Sequence, residues 1–142
     1  SPNNRQIEST WVSLSEIEEK ITDNSLVELA IGKEILEVEI AKNNEKMILG
    51  LGQREKIIEN HGMLFIFPRS DRHSFEMRGM RFNLDFIFIN DSEVVEIIKN
   101  VPVDFPGILK GDKDYDKVLE INAGWTDKKG VVVGDKVMAR IK

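Results

Sequence analysis

Four carboxylates stand among apolar, strand-like residues: Glu55, Glu76, Asp85 and Glu120. Two carboxyl groups roughly 5–10 Å apart can cleave a glycosidic bond, one as acid and the other as base or nucleophile. A second grouping is Arg54-Glu55, which lies between a Gly-containing turn and Ile57-Ile58. An arginine there can hold a carboxylate bidentately with its planar fork, or form an ordinary surface pair. A third grouping is His73, Glu76, Met77 and Arg78, in a polar segment after an apolar run. It reads as a surface loop or the rim of a ligand site.

Metal chemistry is poorly supplied. His73 with Asp71 and Glu76 could ligate an ion, but the chain has only 2 histidines and His61 lies far away in sequence. Without convergent ligand spacing no metal site is assigned. Asp112, Asp114 and Asp116 alternate as in a calcium loop. Lys117 then occupies the place that needs Gly, and Ala123 the place that needs a bidentate Glu. There is no cysteine, which removes thiolate nucleophiles, disulfides and thiolate metal sites. No Gly-x-Ser-x-Gly elbow and no phosphate-binding glycine loop is present. No catalytic residue and no cofactor is therefore assigned.

These residues need elements to hold them. Ser13 and Glu16 have capping-box spacing, and Leu14, Ile17 and Ile21 recur at helical intervals, so 14–22 reads as a short amphipathic helix. Val27, Leu29, Ile31 and then Leu36, Val38, Ile40 alternate with polar or small residues, two half-buried strands around a Gly32-Lys33 turn. A second helix is expected over 44–49, stopped by Gly50 or Gly52. His61-Gly62 reads as a turn, and Met63 to Phe67 as a strand buried on both faces. Strands at 84–89 and 94–98 would be joined by a hairpin loop. Residues 102–116 hold two prolines, two glycines and four aspartates, a long loop of the kind that often carries function. A strand at 118–121, one helical turn from Trp125 and a hairpin of 131–133 with 136–141 complete about eight strands. Trp125 is expected to plug one end of the barrel, with stacking on a sugar or peptide as the alternative.

The strand around Asp85 has a pattern of its own. Phe82, Leu84, Phe86 and Phe88 fall on one face, and Asn83, Asp85, Ile87 and Ile89 on the other. Both faces are apolar toward the end, so the strand is central and Asp85 at least half buried. A buried carboxylate needs partners. Arg54 or Arg78 is the expected one.

The bulk composition sets limits. The chain has 142 residues, 41% hydrophobic and 32% charged, a globular balance suited to one domain with a real core. Its net charge is −5 with Lys and Arg dispersed, which argues against a nucleic-acid footprint. No apolar run approaches the ~18 residues of a membrane span. Residues 1–6 read as a loose tail. The chain starts with Ser1, and removal of a leader or anchor upstream is compatible with that.

Several motifs in order resemble the family known as domain of unknown function 192. They are Leu36-Glu37-Val38-Glu39-Ile40-Ala41, Gly50-Leu51-Gly52-Gln53-Arg54-Glu55, Gly62 to Phe67, and Ser74-Phe75-Glu76-Met77-Arg78. Leu84 to Ile89, Val118 to Gly124 and Val133-Gly134-Asp135-Lys136-Val137 follow. The resemblance runs over roughly 36–140, leaving out the helix and hairpin strand before it. The family usually carries Trp where this chain has Glu76, and a polar residue, often Asn, at Gly79. A pocket lined by those positions would be more acidic and less aromatic here. The resemblance carries no established biochemistry. Many family members look exported, which implies an extracytoplasmic location.

The expectation is a mainly β (α+β) fold, a small antiparallel β-barrel or sandwich with two or three short helices. Residues 1–35 would form a tail, helix and hairpin strand, and 36–142 the β domain carrying the resemblance. The expected function is binding a small molecule or cell-envelope component. The face would comprise Arg54, Glu55, His73, Glu76, Met77 and Arg78, with Asp85 beneath. The alternatives are a hydrolase using paired carboxylates and a protein-interaction scaffold built on loop 102–116. A monomer without nucleic acid, membrane span or cofactor is expected.

Overall fold

Alternating apolar and polar residues favour strands wherever one face can be buried, and eight form in the computed structural model, which describes residues 11–142. They are β1 (Val12–Ser13), β2 (Val27–Ile31), β3 (Glu34–Ala41), β4 (His61–Asp71), β5 (Leu84–Asn90), β6 (Glu93–Val101), β7 (Tyr115–Asn122) and β8 (Val137–Ile141). Three short helices accompany them: α1 (Leu14–Ile17), α2 (Asn44–Leu49) and α3 (Trp125–Lys129). The strands make one sheet in the order β1-β8-β2-β3-β4-β7-β5-β6. The predicted tail at 1–6 lies outside the described residues.

The mainly β expectation holds, with three corrections. The sheet is not closed into a barrel, since its end strands β1 and β6 do not pair. Hydrogen bonds of Val94 with Gly134 and Asp135 and of Val137 with Ser92, with an isolated Glu93–Lys136 bridge, join the start of β6 to the start of β8 without forming a ladder. The sheet is also mixed, because β3 and β4 run parallel, linked through a connection that contains α2. Finally, residues 131–133 form no strand; Val132 and Val133 are exposed, and β8 pairs with β1 and β2 instead.

Other local expectations survive or shift for clear reasons. Gly32 at φ 59° opens the two-residue β2–β3 turn. α2 starts at Asn43, whose side chain accepts the Lys46 N–H, and stops at Gly50, φ 51°. The helix predicted at 14–22 is only one turn of α-helix followed by a 3₁₀ turn at Glu18–Lys20. It is docked nonetheless, with Leu14 and Ile21 fully buried. His61-Gly62 is not a turn but the start of β4. A Cβ on Gly62 would lie 2.6 Å from the Glu120 carbonyl oxygen, so the glycine allows β4 and β7 to approach.

The central strands β4, β5 and β7 are buried on both faces, as the pattern of β4 and β5 predicts. One face carries a core that includes Leu29, Val38, Leu64, Ile87, Leu119, Ile121 and Trp125. The other carries Leu51, Met63, Phe65, Phe75, Met77, Phe86, Phe88 and Tyr115. The first core is closed by α1 and α3. The second is covered by α2 and by the loops 72–83 and 102–114, which is where the chain leaves a gap.

Candidate functional site

The gap is a pocket of about 550 Å³. α2 and the turn after it supply Asn44, Met47, Ile48, Leu49, Gly50 and Leu51 to its wall. β4 contributes Phe65 and Phe67, the following segment Ser74, Phe75, Glu76, Arg78 and Met80, and the long loop Ile108. Backbone hydrogen bonds fix these pieces to one another. Phe75 and Leu109 exchange N–H···O bonds of 2.9 and 2.8 Å, and the Gln53 N–H donates to the Gly79 carbonyl at 2.9 Å. Gly79 sits at φ 83°, a backbone that suits glycine better than the family's usual polar residue.

Glu120 of β7 forms the floor. It stands opposite Met63 on one side and Phe86 on the other, so its side chain points into the aromatic core. Only 5% of the residue is exposed. Its carboxyl makes no hydrogen bond and no ion pair with any described residue. Burial alone pushes its pKa up to about 8. At neutral pH the group is therefore mostly a neutral acid, able to donate one hydrogen bond and accept others. A Cβ placed on Gly50 would sit 3.3 Å from the Phe65 ring and 3.6 Å from Glu120 Oε1. Gly50 thus keeps open the space where ring edge and carboxyl converge.

Two perpendicular contacts shape the aromatic wall. Phe75 meets Phe65 edge-on at 5.3 Å and Phe67 edge-on at 6.0 Å. His73 stacks flat behind Phe67, with centroids 3.7 Å apart, and so braces the wall without lining it. The buried Tyr115 hydroxyl donates to the His73 carbonyl and accepts the Gly111 N–H, holding both covering loops down.

The predicted face is divided by the structure. Glu76 and Arg78 line the pocket and face each other loosely, Arg78 Nε lying 3.7 Å from Glu76 Oε2. Met77 is buried beside them in the second core. Arg54 grips a carboxylate bidentately, but it is Glu39 at the surface, at 2.5 and 2.9 Å. That hydrogen bond and the charge attraction lower the Glu39 pKa and raise that of Arg54. Glu55 pairs with Arg81 and does not line the pocket.

Asp85 overturns the expected arginine pairing. It is fully buried as predicted, but on the opposite face, beside Ile121. Its two oxygens accept the backbone N–H groups of Asn100, Gly124 and Thr126 at 2.8, 3.1 and 3.0 Å, and the Thr126 hydroxyl at 2.7 Å. It is a long-range cap on the start of α3. Trp125 in that helix is buried in the first core and donates from Nε1 to Asn60 Oδ1 at 2.8 Å. In the aspartate loop, Asp116 is spent on the Asp91 N–H and on buried Lys117.

Sequence spacing ranks Glu120 no higher than Glu55, Glu76 or Asp85. The signal for Glu120 was a charged residue inside the run Val118 to Ile121, in a strand with no wet face.

No curated protein matches the chain. Two solved structures are similar to it. One is described as a "putative transcription regulator" from Sinorhizobium meliloti, with TM-score 0.72 and 30% identity, covering 80% of this chain and 91% of that one. The other is a protein of unknown function from Novosphingobium aromaticivorans, with TM-score 0.71 and 31% identity, covering 79% and 82%. The family profile DUF192, described as "Uncharacterized ACR", matches residues 27–139, so the hairpin strand before residue 36 lies within the match. The chain belongs to the DUF192 family.

Proposed function

We propose that this protein binds a small molecule in the Glu120 pocket. The observation that carries the reading is a carboxyl almost wholly buried at the floor of a pocket, with no partner from the described residues. No fully buried side-chain polar atom among the described residues lacks a partner, so the Glu120 carboxyl keeps its opening onto the pocket. A ligand there can supply the hydrogen bonds that the surrounding side chains do not. The volume suits a ligand of drug-like size, and apolar side chains share the lining with Asn44, Ser74, Glu76, Arg78 and Glu120, which could orient such a ligand. A cell-envelope component is one source of such a ligand, in keeping with the extracytoplasmic location the resemblance implies.

A second reading, hydrolysis, rests on Glu76 lining the same pocket as Glu120. A carboxyl raised to about 8 is suited to act as general acid at neutral pH. Gene regulation, the role in the Sinorhizobium protein's description, is not part of our reading, because positive charge is dispersed and net charge is −5.

A thermal-shift screen against sugars, peptidoglycan fragments, nucleotides and small amines tests the proposal. A ligand at 100 times its Kd stabilises by about 2.7 kcal/mol. Binding in the pocket predicts a hit that weakens in Glu120→Gln. A screen without hits overturns small-molecule binding and favours the scaffold reading. Turnover of a hit, abolished by Glu120→Gln and by Glu76→Gln alike, would establish the hydrolase instead.

A further inference from the structure

We infer that the pocket selects an organic cation, an amine with an apolar body whose ammonium group meets Glu120 beside the phenylalanine rings. The inference rests on the small-molecule reading above and narrows its ligand class.

The charge of the lining favours a cation. Its ionisable groups are Glu76, Arg78 and Glu120. Arg78 lies only loosely beside Glu76, at 3.7 Å, and its side chain is 88% exposed to water. Among the described lining residues an anion near the floor would therefore meet carboxyl groups without a buried cation. A neutral ligand could hydrogen-bond Glu120, but it would gain nothing from the aromatic wall beyond apolar contact. A cation gains twice, from the carboxylate and from the negative faces of Phe65, Phe67 and Phe75. Phe75 stands nearly perpendicular to both Phe65 and Phe67, so the ring faces of the wall are turned in at least two directions. The remaining walls, Met47, Leu51 and Met80, offer an apolar sleeve for the rest of the molecule. Ile48 and Ile108, both well exposed at the mouth, extend it outward.

The proton balance is simple. Glu120 holds a proton when the pocket is empty at neutral pH. An ammonium ion binding there makes it release that proton to solvent, one for each amine bound. The resulting carboxylate–ammonium pair is buried and hydrogen-bonded, the condition under which such a pair is tolerated.

The experiment uses three probes of one shape: phenylbutylammonium, phenylbutanol and phenylbutanoate. Their binding is followed by NMR shift perturbation and by calorimetry in buffers of different ionisation enthalpy. The ammonium should bind most tightly and release one proton. Its Kd should tighten by roughly tenfold per pH unit up to about pH 8, where Glu120 becomes ionised unaided. In Glu120→Gln its affinity should fall at least tenfold and the proton release should vanish; Glu120→Asp, which keeps the charge, should restore part of both. Equal binding of the alcohol, or preference for the carboxylate probe, would overturn the cation assignment while leaving small-molecule binding intact. Binding of none of the three would overturn both.

Discussion

Asp85 and Glu120 occupy adjacent register positions on neighbouring strands, β5 and β7, yet they meet opposite fates. Asp85 lies opposite Ile121 and Glu120 opposite Phe86, so their side chains leave the sheet on different faces. On the first face, α3 brings three amides and a hydroxyl to Asp85 and the charge is fully hydrogen-bonded. On the second, α2 and two loops cover the strands incompletely, and Glu120 is left with a pocket in place of partners. Equal burial therefore does not mean equal function. A buried carboxylate with a full set of donors stabilises the fold. One without donors among the described residues, open only to a pocket, favours its neutral form and is free to meet a ligand.

The largest effect should come from breaking the satisfied member. Asp85→Ala strands three amides and a hydroxyl in the interior and unseats α3, and should cost roughly 3–5 kcal/mol in chemical denaturation. A loss below about 1 kcal/mol would show that the α3 cap is dispensable. The next effect compares how each face is closed. Leu14→Ala opens a cavity under the sealed face and should cost roughly 2–5 kcal/mol, whereas Ile48→Ala at the pocket mouth, 88% exposed, should stay within about 0.5 kcal/mol. Similar losses at both sites would erase the distinction between a sealed and an open face.

Glu120 should behave in the opposite sense to Asp85. Its folded-state pKa is raised from 4.5 to about 8, so the native protein holds the proton more tightly than the unfolded chain. That contribution is intact below about pH 4.5 and is lost as pH rises to about 8, beyond which the loss is complete. Glu120→Gln carries no such titration. It should match the parent near about pH 4 and exceed it by up to roughly 5 kcal/mol near about pH 9, at ~1.4 kcal/mol per pKa unit over the shift from 4.5 to about 8. A pH-independent difference would mean that Glu120 has found a partner. The smallest effect belongs to the surface. Arg54→Ala removes a well-formed bidentate pair with Glu39, but both side chains are over a third exposed, and the loss should not exceed about 1 kcal/mol.

These contrasts mark where the sequence is readable. Alternation in 27–40 and the largely apolar run at 84–89 exposed the strands, and Gly50 marked the end of α2, because those signals are local. The burial of Asp85 was legible for the same reason. Its partners were not, since they are backbone amides of residues 100, 124 and 126 that only the topology brings near. The arginine expectation failed because backbone donors leave no mark in side-chain identity. Residues 131–133 looked like a strand from their β-branched run, yet β1 and β2 already occupy both edges of β8. For the site, Glu76 and Arg78 were found from a polar segment following an apolar strand. Arg54 and Glu55 share that polarity but pair off at the surface, a difference that sequence spacing does not carry.

The central claim is that Glu120 is an almost wholly buried carboxyl without a partner among the described residues. The most direct test is a carbon-13 NMR titration of its side-chain carboxyl in the intact protein. The account predicts a midpoint at about 8, reached without unfolding. A midpoint in the ordinary glutamate range, about 4–5, would contradict it, because the group would then be solvated or paired and the pocket would have no unsatisfied floor.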